Sequence, residues 1–466
     1  RRFKIPVSDK VVDHLSFYRP SANSSEIKYL QERREALGGP VPERVVKVAA
    51  LKSVPDAPFK EFFAGSKKRP ASTTMVFVRI LTKLLADNEI GSRVVPIIPD
   101  EGRTFGMEAL FRKIGIYSHV GQHYTPVDRE TLLYYREATD GQILEEGITE
   151  AGAMSSFIAA GTSYASNNLT MFPFFIYYSM FGFQRIGDLI WAAGDMRCKG
   201  FLIGATAGRT TLAGEGLQHQ DGNTQLFAFP YPNIVAYDPA FAYELAIIIR
   251  EGMRRMYVEM EDCIFYLTVG NENYPMPAMP EGVEEGVIKG MYCFKKSDRP
   301  KGKAHVRLLG SGAILLEALR AQEILEENYW VTADVWSVTS FKNLYNDGLD
   351  CDRRNRLNAT DEQRVPYIAQ CLTGDDPVVA ATDYVQAVPL TCARWIKAPF
   401  KALGTDGFGR SEARKELRDF FEVDGRHITI TALNALARAG TVEPELVKQA
   451  VDELGIDPEK SSPRLS

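Results

Sequence analysis

From about residue 50, the hydrophobic residues of the chain occur in two patterns that alternate. Apolar residues at helical spacing over Thr74–Asp87 predict a helix, and the short apolar run Ser92–Asp100 predicts a buried strand. The alternation continues with helices at Glu150–Ser166 and Ala240–Met256 and with strands at Phe201–Gly208, Asn233–Asp238 and Cys263–Val269. Strands that alternate with helices are typical of a doubly wound parallel sheet, so we predict an α/β fold.

Three prolines between residues 275 and 280 interrupt this alternation and indicate a domain boundary. A second α/β pattern follows, with strands at His305–Leu309 and Trp330–Val338 and a helix at Ala313–Glu327. Before residue 50 the chain is polar and its prolines are spaced apart. We therefore predict a linker or the tail of a preceding domain at 1–49, one doubly wound domain at 50–279 and a second at 280–466.

Three further helices are predicted from local signals. Glu26–Leu37 is a basic, helix-like stretch within the polar N-terminal segment. Ser411 is a suitable N-cap for a helix with Glu412 in its first turn. Apolar residues in Glu443–Leu454 recur at the spacing of a short amphipathic helix.

The composition narrows the classes of protein to consider. The chain has 466 residues with a net charge of −5, which does not favour nucleic-acid binding. Its apolar runs are shorter than the roughly 18 residues of a membrane span, so no membrane association is expected. Its six cysteines are scattered and form no Cys-x-x-Cys pair, which favours buried thiols in a reducing, cytoplasmic compartment over a zinc or redox site.

Glu150 and the aromatic residues after it form the first candidate site. Glu150 begins a helix of small residues, and the aromatic run 172–183 follows. An acid in the first turn ordinarily complements the helix dipole, and aromatic runs are ordinarily core. Small residues, however, let a helix pack closely and bury its N-terminal end. A buried, protonated carboxyl donates a hydrogen bond to a ring nitrogen, so this pattern suits a flat aromatic ligand.

Two further groups of polar residues follow predicted strands. The glycine-spaced loop 206–222 carries Glu215 and His219, and imidazole is the usual proton carrier near neutral pH. Asp100 and Glu101 end an apolar strand, and ligands of open α/β sheets bind beyond the carboxyl ends of strands. Both groups are also compatible with ordinary solvent-exposed turns.

The order of these motifs resembles one family, the homodimeric pyruvate dehydrogenases. These are the thiamine-diphosphate-dependent decarboxylating components of bacterial multienzyme complexes. The resemblance extends over about residues 1–455 and includes several long motifs in the same order. The segments that carry it are Asp100–Glu108, Glu146–Glu150, Tyr177–Asp188, Gly208–His219, Asn271–Pro277 and Leu403–Ser411.

The resemblance implies a fold and roles for residues. It implies a transketolase-like pyrimidine-binding domain followed by a transketolase C-terminal-like domain. It implies that Glu150 hydrogen-bonds the pyrimidine ring of thiamine diphosphate and that Phe181, with Tyr178 beside it, stacks on this ring. Asp100, Glu101, Glu215 and His219 would face the reacting centre. Segment 120–136 is similar to a loop that orders over the site in this family.

The resemblance also implies partners and a missing part. The family holds its diphosphate and Mg²⁺ with a Gly-Asp-Gly motif, and this sequence contains none. We therefore expect the chain to be the C-terminal half of such an enzyme, inactive alone, with the magnesium ligands in a preceding domain. Pyruvate, the lipoyl domain of dihydrolipoyl acetyltransferase and a second copy in a homodimer are the implied partners. A non-catalytic assembly module and a related 2-oxo-acid dehydrogenase or transketolase remain alternatives.

Overall fold

The computed structural model describes residues 6–14, 17–39, 46–66, 69–100, 102–126, 135–213, 215–302 and 304–466. It contains two compact units, Arg1–Val48 and Ala49–Ser466. The first unit has two helices, α1 (Asp9–Val12) and α2 (Ser25–Ala36). The Ser24 hydroxyl caps α2 by accepting a hydrogen bond of 3.3 Å from the backbone nitrogen of Ile27. All of the strands found in the described residues belong to the second unit.

The first sheet of the second unit has six parallel strands in the order β4-β1-β5-β6-β8-β7. A separate parallel pair is formed by β2 and β3. The strands up to this point are β1 (Val94–Ile98), β2 (Ile116–Tyr117), β3 (Glu137–Ala138), β4 (Leu144–Glu145), β5 (Phe172–Tyr178), β6 (Gly200–Ala205), β7 (Ile234–Tyr237) and β8 (Ile264–Thr268). The helices that accompany them are α3 (Thr73–Leu85), α4 (Glu108–Ile114), α5 (Glu150–Ser166), α6 (Phe183–Asp195), α7 (Thr224–Phe227), α8 (Ala242–Met253) and α9 (Glu284–Lys289).

The central strands of this sheet are apolar along their whole length because helices cover both faces. Every residue of β6 and β8 is buried. On one face, the rings of Phe174 and Phe201 stack with their centroids 4.6 Å apart. On the other face lies α5, whose Gly161 approaches the chain so closely that a Cβ there would be 2.2 Å from Cys198 Sγ. The aromatic run that follows Glu150 is therefore mostly core, and only its end reaches the edge of the sheet.

The second sheet has five strands in the order β13-β12-β10-β11-β9. Four are parallel, but the edge strand β9 runs antiparallel to β11, so this sheet is mixed rather than purely parallel. Its strands are β9 (Met291–Lys295), β10 (His305–Gly310), β11 (Thr332–Val338), β12 (Val378–Ala381) and β13 (Phe400–Leu403). Its helices are α10 (Leu315–Asn328), α11 (Phe341–Leu357), α12 (Tyr367–Cys371), α13 (Ala387–Leu390), α14 (Arg414–Phe420), α15 (Gly425–Arg438) and α16 (Pro444–Glu453).

Buried polar side chains join the two sheets. The Lys342 ammonium, on α11, donates hydrogen bonds of 2.6–2.7 Å to the carbonyl oxygens of Ala228, Tyr231 and Ile234 beside the first sheet. Ser337, on β11, donates a hydrogen bond of 2.7 Å to the buried carboxylate of Glu244 on α8. Such groups are costly to bury without partners, so these contacts tie the sheets together.

The two α/β sheets confirm the predicted fold class, and one predicted helix start is wrong. Helix α14 begins at Arg414 after Ala413, which makes no side-chain cap, and Ser411 lies outside the helix. The division at residues 279 and 280 stays a prediction, since both sheets belong to one compact unit. Within the part of the chain that the structure describes, no helix is both long and apolar enough to span a membrane.

Candidate functional site

Most of the predicted site residues lie at the carboxyl edge of the first sheet. Tyr178 is the last residue of β5, and Phe181 ends the 3-10 turn Ser179–Phe181 that follows. His219 ends the turn Leu217–His219, in the connection that leaves β6. Glu150 begins α5, which leads from β4 to β5. This is the edge at which ligands of open parallel sheets bind.

Glu150 is buried and has one charged partner. Only 7 % of its surface is exposed. Thr149 caps the helix by accepting a hydrogen bond of 3.1 Å from the backbone nitrogen of Gly152, which fixes the first turn. Arg185 Nη1 donates to Glu150 Oε2 over 2.9 Å. No described residue donates to Oε1, so this oxygen can accept or share a proton with a ligand.

Three rings form a cluster beside this carboxylate. The rings of Tyr178 and His219 have centroids 4.6 Å apart, and the rings of Phe181 and His219 are 5.4 Å apart. Phe105, from the segment after β1, packs its ring edge-on against Tyr178 at 5.2 Å. With Phe105, the cluster therefore combines the end of β5 with the segments that follow β1 and β6. These three strands are neighbours in the sheet although they are separated along the chain.

Arg185 connects the cluster to Glu150. Its guanidinium carbon lies 3.9 Å from the centroid of the Phe181 ring, on the face of the ring. About half of the Arg185 side chain is exposed, whereas the Glu150 side chain is buried. The flat guanidinium group of Arg185 thus stacks on Phe181 and hydrogen-bonds Glu150, so this place accommodates a flat, nitrogen-bearing group.

The hydrogen bond of His219 determines its tautomer. His219 Nδ1 lies 2.8 Å from the carbonyl oxygen of Glu215. A carbonyl oxygen only accepts, so Nδ1 carries the hydrogen and the neutral ring presents Nε2 as a proton acceptor. The Glu215 carboxylate accepts a hydrogen bond of 3.4 Å from Asn271 Nδ2. Glu215 thus orients His219 through its backbone, and its side chain faces the end of β8.

The remaining predicted residues are placed in part. Asp100 is exposed and follows β1 by two positions, at the same edge of the sheet as Tyr178. Glu101 lies outside the described residues, as do residues 127–134 of the predicted loop 120–136. No contact between Asp100 and the ring cluster is recorded among the residues that the structure covers, so its role in the site stays a prediction.

Two acidic residues at this edge were not among the site residues predicted from the sequence. Glu145, on β4, accepts a hydrogen bond of 3.0 Å from the Tyr135 hydroxyl, and burial raises the pKa of Glu145 to about 7. Asp221 is fully buried and accepts a hydrogen bond of 2.5 Å from Ser179, the first residue of the turn that holds Phe181. The acidic pair after a short apolar run was an available signal for Glu145. The sequence contains no comparable signal for Asp221, because Asp221 and Ser179 are far apart in the chain.

Two models of known sequence families match the two parts of the large unit. A family model described as "Pyruvate dehydrogenase E1 component middle domain" matches residues 50–277. A second, described as "Transketolase-like TK C-terminal domain", matches residues 290–424. The candidate site lies within the first match. The second match covers the five strands of the mixed sheet.

Comparison with individual proteins gives the same result. The chain is 54 % identical over 464 residues to the pyruvate dehydrogenase E1 component of Pseudomonas aeruginosa, covering 99 % of this chain and 52 % of that protein. It is 49 % identical to the Escherichia coli pyruvate dehydrogenase E1 component, covering 100 % of this chain and 52 % of that protein. A solved transketolase from Leishmania mexicana matches with a TM-score of 0.61 at 15 % identity, covering 83 % of this chain and 48 % of that one.

The last match is too distant in sequence to show more than the fold. The match to the bacterial proteins supports more than the fold, because the identity is high and extends over 99–100 % of this chain. The chain spans about half the length of those relatives. With the middle-domain match and the transketolase-like C-terminal match in the same order, the chain belongs to the pyruvate dehydrogenase E1 component family.

Proposed function

We propose that this chain forms the pyrimidine side of a thiamine-diphosphate site in an enzyme that oxidatively decarboxylates pyruvate. The enzyme would pass the acetyl group to the lipoyl group of dihydrolipoyl acetyltransferase. The observation that carries the proposal is Glu150, a buried carboxylate with one oxygen free of described donors, beside the exposed end of an aromatic cluster. The name of the relatives supports the choice of pyruvate.

The side chains at this edge fit the aminopyrimidine ring. Glu150 Oε1 would hold a ring nitrogen, and Phe181 would supply an aromatic face. The Arg185 guanidinium lies over Phe181, where the pyrimidine ring would stack. We therefore expect Arg185 either to leave this position when the ring binds or to stay hydrogen-bonded to Glu150 Oε2 beside the ring. Tyr178 and His219 pack against each other on one side of the cluster.

Glu150, His219 and Glu215 have roles that follow from their hydrogen bonds. When bound, thiamine diphosphate supplies an acidic carbon that adds to a 2-oxo acid and an electron sink for the loss of carbon dioxide. Glu150 holds or releases a proton at Oε1. His219 accepts a proton at Nε2 because Nδ1 is committed to the Glu215 carbonyl oxygen. Glu215 keeps the His219 ring in that orientation. Asp100 and Glu101 are proposed to add negative charge at the same edge.

The other parts of the proposal depend on the resemblance. The sequence has no Gly-Asp-Gly motif, so we propose that the diphosphate and Mg²⁺ are held by residues outside this chain. A homodimer is proposed from the likeness to the family. A cytoplasmic location is proposed because all six cysteines are free thiols, as in proteins of reducing compartments. The domain limits 50–279 and 280–466 belong to the same proposal, and the family matches at 50–277 and 290–424 lie within them.

The substitution Glu150→Gln tests the central role. In the full-length protein with thiamine diphosphate and Mg²⁺, we expect hydrogen exchange at the reactive thiazolium carbon to slow by about 100-fold or more, because the amide cannot exchange a proton with the ring. Exchange is measured by acid quench and proton NMR. Glu89→Gln, an exposed acid of the same sheet region, is the matched control and leaves exchange unchanged. Undiminished exchange in Glu150→Gln would refute the assignment.

Two other functions are separated by simple measurements. The first is a non-catalytic assembly module that supplies dimer contacts and half a site. Calorimetry of this chain with thiamine diphosphate and Mg²⁺ tests the half-site assignment, since tight binding by the chain alone contradicts it. A related 2-oxo-acid dehydrogenase or transketolase would instead be revealed by a panel of 2-oxo acids and ketose phosphates, on which pyruvate would not be the preferred substrate.

A further inference from the structure

The loop that carries Glu215 and His219 is held at its start by a residue of the other sheet. Asp383 follows β12 and is 3 % exposed. Its Oδ1 accepts hydrogen bonds of 2.8 Å from both the backbone nitrogen and the hydroxyl of Thr210. Its Oδ2 accepts from the backbone nitrogen of Thr211 at 2.9 Å and from the hydroxyl of Thr211 at 2.5 Å. One carboxylate therefore satisfies four donors of two consecutive loop residues.

Gly208 shows how closely this carboxylate approaches the loop. Gly208 has φ +92°, and a Cβ placed there would lie 2.3 Å from Asp383 Oδ2. A side chain is excluded by the carboxylate as well as by the backbone conformation. The glycine at the start of the loop is thus required by a residue of the second sheet, which indicates a built contact rather than a chance approach.

The segment after β13 holds the loop at two further points. Next to Thr210, Arg209 Nη1 donates hydrogen bonds of 2.5 Å to the carbonyl oxygens of Thr405 and Gly407 in this segment. Beyond His219, the backbone nitrogen of Arg410 donates to Gln220 Oε1 over 2.7 Å. Both ends of the loop are therefore held by segments that follow strands of the second sheet, and the exposed residues 216–218 lie between them.

We propose that the C-terminal sheet positions the proposed catalytic loop, with Asp383 as the principal positioning residue. The inference rests on the proposed function, because only that function makes Glu215 and His219 part of the site. Asp383 accepts four hydrogen bonds that fix Thr210 and Thr211. This sets the path of the chain that places the His219 ring 4.6 Å from the Tyr178 ring. Asp383 itself touches neither the ring cluster nor Glu150 among the described contacts.

The matched pair Thr211→Val and Thr211→Ser tests the hydrogen bond without changing the buried acid. Valine keeps the shape of threonine but removes the donor to Asp383 Oδ2, whereas serine keeps the donor. In the full-length enzyme with cofactor and Mg²⁺, we expect Thr211→Val to lower kcat about tenfold to a hundredfold, as small displacements of reacting groups do. Thr211→Ser should retain kcat within about twofold, and the affinity for thiamine diphosphate should change little in either variant. A serine variant as impaired as the valine variant, or an unimpaired valine variant, would overturn the proposal.

Asp383→Asn gives a second, independent measurement. The amide replaces one of the two carboxylate oxygens with a donor, which then faces the backbone nitrogen of either Thr210 or Thr211. We therefore expect faster hydrogen exchange at that backbone amide and a lower kcat. Asp375→Asn, an exposed acid of the same sheet that is 82 % accessible, is the control. If Glu150→Gln leaves activity intact, the proposed function fails. If Glu150→Gln abolishes activity while Asp383→Asn and Thr211→Val leave kcat and amide exchange unchanged, only the positioning role fails.

Discussion

At the scale of single residues, Asp238 shows most clearly how burial opposes the ionisation of a carboxyl group. It follows β7 and faces the second sheet, and Thr268 donates a hydrogen bond of 2.7 Å to its Oδ1. Its Oδ2 is buried without a hydrogen-bond partner among the described residues. Burial raises the pKa of Asp238 to about 7. The folded protein therefore retains a proton here that an unfolded chain would release at a lower pH.

The raised pKa of Asp238 predicts a pH-dependent stability. An unfolded aspartate titrates near pH 4, so the folded state binds more protons between about pH 4 and about pH 7. The stability contribution of this group is present below pH 4 and is lost as the pH rises through 7. We expect Asp238→Asn to resemble the wild type in Tm at pH 5 and to exceed it at pH 8, measured by calorimetry. Asp375→Asn should show no such pH dependence. An equal effect at both values would contradict the prediction.

Sequence patterns could predict the site residues only as separate groups. His219 lies in the loop after the predicted strand Phe201–Gly208, so its placement at the edge of a parallel sheet was predictable. Glu150 and Tyr178 were grouped only by a predicted helix and an aromatic run, and β4 and β5 beside them were not predicted as strands. The pairing of Glu150 with Arg185 was not, because spacing along the chain does not give the direction of a side chain on another helix. Glu145 and Asp221 were missed for the same reason, since their partners come from distant segments.

At the scale of elements, α5 links packing to the site. The predicted limits Glu150–Ser166 agree with the structure, because Thr149 and the small residues are strong local signals. Signals were weaker for α14, where Ser411 was the better cap by type but the chain turns into the helix only after Ala413. Inside α5, Gly161 sits against Cys198 and the carbonyl oxygen of Lys199. This contact sets the depth at which the helix lies on the sheet.

Gly161→Ala is expected to destabilise the protein. A Cβ at this position would be 2.6 Å from the Lys199 carbonyl oxygen, which is backbone and cannot turn away. Overpacking of this kind costs about 1–3 kcal/mol, which exceeds the gain in helix propensity of about 1 kcal/mol. Denaturant unfolding measures the change. Ser155→Ala, at an exposed position of the same helix, should stay within about 0.5 kcal/mol of the wild type. A more stable Gly161→Ala protein would refute the close packing.

At the scale of the whole large unit, the two sheets are joined by buried polar contacts rather than by apolar packing alone. The repeated α/β pattern predicted both sheets, but their relative placement depends on side chains such as Lys342 and Asp383 that the pattern does not identify. The pattern also did not predict that the edge strand β9 runs antiparallel, since the direction of a strand depends on where the chain re-enters the sheet.

Lys342→Met tests how strongly these contacts join the sheets. The methionine keeps most of the volume but leaves three buried carbonyl oxygens without their donor. Burial lowers the pKa of Lys342 to about 7, so its amine is charged below that pH. Hydrogen bonds to charged groups contribute about 1.5–3 kcal/mol, so at pH 6 we expect a loss of at least about 2 kcal/mol in the free energy of unfolding. Lys397→Met, at a position 85 % exposed, is the control and should have almost no effect. A Lys342→Met protein as stable as this control would show that the sheets are held by other contacts.

The close approach of Asp383 to Gly208 has a consequence for how sequences of this kind can vary. A side chain at position 208 is compatible with the fold only if the carboxylate at position 383 has gone, because a Cβ and Oδ2 cannot share the same space. The two positions follow strands of different sheets and lie far apart in the chain, yet the residue at 208 is limited by the carboxylate at 383. Natural variants that keep aspartate at 383 should therefore keep glycine at 208. Replacing Asp383 by a smaller residue should relieve only the contact with Oδ2, because the positive φ at 208 still disfavours a side chain.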